Sequence, residues 1–114
     1  MDTVGAEAAR ASLLAERERL RAELAEEIES PGQMTYGSQA AAATHVFEQQ
    51  RDLALRERAQ QHLAQVEAAL GRLDAGTWGT CRRCGNAVAE ARLEALPWAA
   101  YCIDCQTTVD REGR

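Results

Sequence analysis

The sequence predicts a mostly α-helical protein: a long antiparallel coiled-coil helical hairpin, then a small four-cysteine module with a short C-terminal helix. Three observations lead there. Two long stretches carry apolar residues at helical spacing on one face, with Glu and Arg filling the other. One short polar break, "SPGQMTYGS" (30–38), separates them. All four cysteines fall in a single run, "TCRRCGNAVAEARLEALPWAAYCIDC" (80–105), as two C-x-x-C pairs.

The composition suits a rod. A chain of 114 residues holds one ordinary domain, or a small domain with an extension. Alanine supplies much of the apolar fraction, and the aromatic residues are only Tyr36, Phe47, Trp78, Trp98 and Tyr101. Three of these lie between 78 and 101, so the long N-terminal part has few bulky side chains. It can fill a narrow helix-on-helix seam but not a wide core.

The first arm is expected over 6–30. Ala6, Ala9, Leu13, Leu20, Leu24 and Ile28 share one face, and the Glu and Arg between them read as a solvated surface. Pro31 stops the helix, Gly32 and Gly37 permit turns, and Ser38 can cap a new start. The tip is expected over 31–43 and the second arm over 39–76. In that arm Ala59, Leu63, Val66, Leu70 and Leu73 step by 4, 3, 4, 3, an a/d heptad seam whose phase blurs upstream around Leu53 and Leu55. Gly76 reads as a left-handed cap. Helices joined by so short a break are expected to fold back on each other, the alternative being pairing with another chain. Residues 1–76 then form the hairpin, and 77–114 the cysteine module with a final helix.

The spacing C-x2-C-x17-C-x2-C places Cys81, Cys84, Cys102 and Cys105 as a tetrahedral thiolate set for one structural zinc ion. Disulfides or a redox C-x-x-C are the lesser readings. The N-terminus lacks a basic start followed by an apolar core, and no run approaches 18 apolar residues. A reducing cytoplasmic location is therefore expected, which favours metal over disulfide. Four thiolates leave zinc no open position, so the site holds structure and does not catalyse. The expected core around it is Trp78, Leu93, Leu96, Trp98, Tyr101 and Ile103, too little to fold a module without metal. "EARLEAL" (90–96) reads as a helical turn ended by Pro97.

Function classes narrow accordingly. The net charge is −5 and every strong base is arginine, so neither part presents the basic face of a free-standing nucleic-acid binder. His45 and His62 stand alone in the second arm, and no nucleophile–base set or phosphate loop stands out, so no enzyme is expected.

A hairpin followed by "GTWGTCRRCGNAVAEARLEALPWAAYCIDCQ" (76–106) resembles the DksA/TraR family of bacterial transcription regulators. The likeness is carried by the G-x-C-x-x-C-G entry (Gly79, Cys81, Cys84, Gly85), "RLEALP" (92–97), "CIDCQ" (102–106) and "FEQQRDLALRERA" (47–59). The resemblance implies direct binding to RNA polymerase, with the hairpin entering the secondary channel and the finger on its rim, and no sequence-specific DNA reading. Pairing of the two arms within the chain makes a monomer the expected state. It also points to departures. The family's tip carries D-x-x-D-x-A, matched here by Ser38, Ala41 and Ala43: the alanine is kept and both acids are gone. Either binding then survives with an altered effect, or the tip acts through Met34, Tyr36 and backbone. The basic places that serve the alarmone ppGpp match Gln65, Leu96 and Gln106, all neutral, so a response by that route is not expected. The competing readings are a structural coiled-coil adaptor or dimer, and a zinc-finger DNA binder.

Overall fold

A computed structural model of the chain describes residues 3–26 and 39–113. Two long helices, α1 (Thr3–Ala25) and α2 (Gln39–Ala75), are followed by α3 (Glu90–Ala95) and α4 (Ile103–Glu112). The described residues form no strand beyond one isolated antiparallel bridge, Thr80 with Ala87. The molecule measures 60 × 30 × 20 Å, and the 37 residues of α2 alone span about 55 Å.

The two long helices pack on each other within the chain, along the stripe expected from the sequence. Leu13 and Leu20 of α1 meet Ala59, Val66, Ala69 and Leu70 of α2, and Leu24, Leu63 and Leu73 close the edges. Leu13, Val66 and Ala69 are wholly shut off from solvent. Three pairs across the seam fix the antiparallel register: Arg10 with Asp74 at 2.8 Å, Arg21 with Glu67 at 3.2 Å, and Arg56 Nη1 donating to the Glu26 carbonyl at 3.2 Å. In each, a residue earlier on α1 pairs with one later on α2. These pairs are exposed and add little stability; burial of the leucine–valine seam supplies most of it.

The bounds of α2 agree with the sequence reading, while α1 differs at both ends: it stops at Ala25, with Glu26 already in a bend, where the first arm was expected to run to 30. α1 begins at Thr3 instead of near Ala6, running through Thr3, Val4 and Gly5 although none of the three favours a helix. The expected course of the first arm over 27–30 lies outside the described residues, as do Ile28, Met34, Tyr36 and Ser38. Ala41 and Ala43 sit exposed at the beginning of α2.

α2 ends as its sequence dictates. Gly76 has φ +76°, its N–H reaches the Leu73 carbonyl, and the Thr77 N–H reaches the Arg72 carbonyl at 2.9 Å. That pair of bonds is the Schellman arrangement, and it needs a residue that tolerates the left-handed conformation. The chain leaves the helix at a fixed angle into the cysteine module.

Candidate functional site

Each cysteine pair is presented by a different local structure. The first lies on a tight hairpin whose ends are pinned by the Thr80–Ala87 bridge and by the Val88 N–H on the Gly79 carbonyl at 2.8 Å. Within it, the Cys81 N–H reaches the Asn86 carbonyl at 2.8 Å and the Gly85 N–H the Cys81 carbonyl at 3.0 Å. Gly85 has φ +79°, and a Cβ there would meet no atom within 4 Å, so backbone conformation and not space demands glycine. The second pair opens α4. Cys102 is its N-cap, and the Gln106 N–H returns to the Cys102 carbonyl at 2.8 Å. The Arg82 N–H bonds the Ala100 carbonyl at 2.9 Å and ties the two halves together.

The result brings the four Sγ atoms of Cys81, Cys84, Cys102 and Cys105 within 4.8 Å of one another, with Cys84 and Cys102 at 3.9 Å. Tetrahedral zinc with bonds near 2.3 Å places its sulfurs about 3.8 Å apart, so this donor set fits one structural zinc ion. The thiols also need a cation. Burial pushes Cys81 up, but N–H groups of Cys84, Cys102 and Arg83 outweigh it and bring the thiol down to about 6. Cys105 goes the other way, to about 12, first through its contact with Cys102 and then through burial. Four thiolates cannot share so small a volume without a positive ion among them. Arg83 helps from outside, with Nη1 3.9 Å from the Cys105 sulfur and Nη2 3.8 Å from Glu112.

The small core beside the thiols differs from the expected one. Val88 is buried with Cys81 and Cys105, and Leu93 and Tyr101 pack on them. Ile103 is instead 67% exposed. The reason is helical phase: α4 turns Cys105 inward, and a residue two positions earlier lies about 200° around the helix. Trp98 also departs from expectation. It packs against the hairpin seam, not around the thiols.

Trp98 makes the joint between rod and finger. Its ring stands edge-on to His62 of α2, centroids 4.5 Å apart, and its carbonyl accepts from Arg72 Nη2 at 3.2 Å. His62 in turn puts Nε2 3.2 Å from Glu16 of α1. Trp78 locks the same loop from behind, its buried Nε1 donating to the Pro97 carbonyl at 2.8 Å. One histidine therefore touches both arms of the hairpin and the finger. In the sequence His62 stands alone in the second arm, and no spacing points to these partners.

The three places matched to the alarmone-binding positions, Gln65, Leu96 and Gln106, come together on one recess of about 650 Å³ between α2, the loop after α3, and α4. No described helix is long and apolar enough to cross a membrane.

Comparison with known proteins agrees with this architecture. Residues 76–111 match the prokaryotic dksA/traR C4-type zinc finger. An uncharacterized protein of Aquifex aeolicus is 43% identical over 51 residues, which cover 45% of this chain and 35% of that protein. The RNA polymerase-binding transcription factor DksA of Haemophilus influenzae is 38% identical over 68 residues, 60% of this chain and 47% of that one. The chain thus aligns with less than half the length of either relative. The structure of transcription factor DksA2 from Pseudomonas aeruginosa superposes with a TM-score of 0.81 at 26% identity, covering all of this chain and 89% of that one. Finger, hairpin and sequence agree: residues 76–111 match the dksA/traR C4-type zinc finger, and the whole chain is similar in fold to DksA2.

Proposed function

We propose that this protein is a cytoplasmic transcription regulator that binds RNA polymerase directly, places its hairpin in the secondary channel and rests its finger on the rim. The observation that carries this reading is the whole-chain likeness to DksA2, rod and finger together. The relative from Haemophilus influenzae is named as an RNA polymerase-binding transcription factor. A rod about 55 Å long with a fixed finger at its base has the reach such insertion requires. Regulation then comes from occupying space near the catalytic centre and not from a reaction of the protein's own. DNA is not read, because the chain is acidic overall at −5 and offers no basic helix for a groove.

The hairpin tip acts without acidic side chains, since 31–44 holds no charged residue. Ala41 and Ala43 are the part of that tip that α2 presents to a partner. The zinc centre of Cys81, Cys84, Cys102 and Cys105 has a structural part: it holds the finger that sets the rod's angle.

The test is co-purification with core RNA polymerase at micromolar protein, with another secondary-channel factor as competitor. Retention that the competitor abolishes is the expected result. Absence of binding overturns the proposal. Retention that the competitor leaves untouched moves the site elsewhere on the polymerase.

A further inference from the structure

The hairpin has two flanks, and the pairs that cross its seam mark them. Arg10–Asp74 and Arg21–Glu67 lie on one flank, Glu16–His62 on the other. On α1, Gly5, Ala9 and Ser12 precede Glu16 by 11, 7 and 4 residues, so they share its flank. Together with Trp78, Val88 and Leu93 of the finger they line a groove of about 850 Å³. The edge of this groove is acidic: Glu90 and Glu94, one turn apart on α3, are both exposed. Neither has a cation within 4 Å among the described residues.

α2 carries the opposite charge on the same flank, farther out. Phe47, Arg51, Leu55 and Arg58 precede His62 by 15, 11, 7 and 4 residues, one helical stripe. Phe47 is 77% exposed and Leu55 51%. Arg51 and Arg58 are exposed and have no carboxylate partner among the described residues. The Arg10–Asp74 pair sets the level of the groove along α2. Groove and stripe are therefore about 30 Å apart along the rod, too far to meet within one chain.

We propose that this flank pairs with a second copy of the chain turned end for end, each distal stripe lying in the other copy's groove. A twofold axis midway between groove and stripe makes both contacts at once and closes the pair. Charge complementarity selects this match: two free guanidinium groups meet two free carboxylates at the edge of an apolar groove. Phe47 and Leu55 leave water for the wall of Trp78, Val88 and Leu93. The recess between α2 and α4 is the wrong place for the stripe, because Arg72, Arg82 and Arg92 line it and would repel the stripe's arginines. Shape agrees, since the finger thickens only the base of the rod. Laid end for end, the thick base of each copy sits beside the thin distal half of the other. The pairing does not depend on polymerase being a partner.

Sedimentation equilibrium of the full zinc-loaded chain tests the proposal. The average mass should rise from one chain, 12.5 kDa, to two as protein goes from about 5 to about 500 µM. Arg51→Glu with Arg58→Glu should weaken association about tenfold or more, and so should Glu90→Arg with Glu94→Arg. An equimolar mixture of these two variants should regain it, because every stripe then faces a groove of opposite sign. All four changes in one chain should regain it too. Circular dichroism and zinc content per chain check that each variant is folded. A wild type that stays at one chain mass at about 500 µM overturns the proposal and leaves the groove to a partner of another sequence. A dimer that neither double variant weakens, or folded variants whose mixture stays monomeric, overturns the assigned contact. A mass that climbs past two chains overturns the closed pair.

Discussion

The two ends of the hairpin are built on opposite terms. Near the finger, Leu13, Leu20, Val66 and Ala69 form a dry seam with at most 2% of any side chain exposed. Far from it, Val46, Phe47, Leu53 and Leu55 of α2 point to solvent, Phe47 with 77% of its surface exposed. The heptad does not lose phase between them. Stepping back from Ala59 by the same alternation reaches Arg56, Asp52, Gln49, His45 and Ala42, and all but Asp52 are half-buried. The seam continues in register but its side chains turn polar. His45 Nε2 is shut from solvent there without a hydrogen-bond partner among the described residues, an unfavourable arrangement. Stability is concentrated at the base, where Trp98 joins, and the distal end keeps its apolar groups outside, where a partner can use them.

The largest expected effect comes from the metal that fixes the base. Removing zinc with a chelator, or replacing Cys81 with serine, should collapse the finger, since structural zinc contributes about 10–16 kcal/mol in small fingers. One zinc per chain should be lost. Trp78 and Trp98 fluorescence should shift to the red, while most of the helical circular dichroism of the hairpin persists. Trp98's place in the seam adds a consequence: the hairpin's own melting temperature should also fall, which a finger independent of the rod would not produce. Equal melting with and without chelator contradicts the structural role.

The next effect compares the two ends directly. Leu20→Ala at 2% exposure should cost about 2–5 kcal/mol in denaturant unfolding. Leu53→Ala at 53% exposure should stay within about 0.5 kcal/mol. If Leu53→Ala costs as much as Leu20→Ala, the distal stripe is packed in solution and the contrast fails.

The smallest effect is electrostatic and sits at the joint. A hydrogen bond from Arg19 is the main reason the Glu16 pKa falls below its ordinary 4.5, with His62 adding to it. A folded-state pKa below the unfolded one gives stability that is present above pH 4.5 and is lost as pH falls through the folded value. The pairing is largely exposed, so the loss should be slight. Melting temperature followed from pH 6 to 3 should fall less in Glu16→Gln than in wild type. Parallel curves would remove Glu16 from the joint.

How much of this was legible beforehand follows from which features carry periodicity. The helices, the Gly76 cap and the cysteine cluster rest on spacing or on a residue with one conformational use, and the structure places them as the sequence indicates. Three features do not. Ile103 was expected inside and lies outside, because the cysteines and not hydrophobicity orient α4. Trp98 follows Pro97 in a loop, where no period tells which way a side chain turns. Arg72, Arg82 and Arg92 are ordinary surface residues in the chain and become a set only when α2, the first cysteine hairpin and α3 converge.

The central claim is that the rod enters the polymerase's secondary channel. A photo-crosslinking amino acid at Ala41, exposed at the start of α2, tests it most directly in complex with core RNA polymerase, with the same group at exposed Arg111 of α4 as reference. The account predicts that Ala41 labels elements around the catalytic centre and Arg111 labels only the outer rim. Labelling of the outer surface from Ala41, or identical products from both positions, would contradict it.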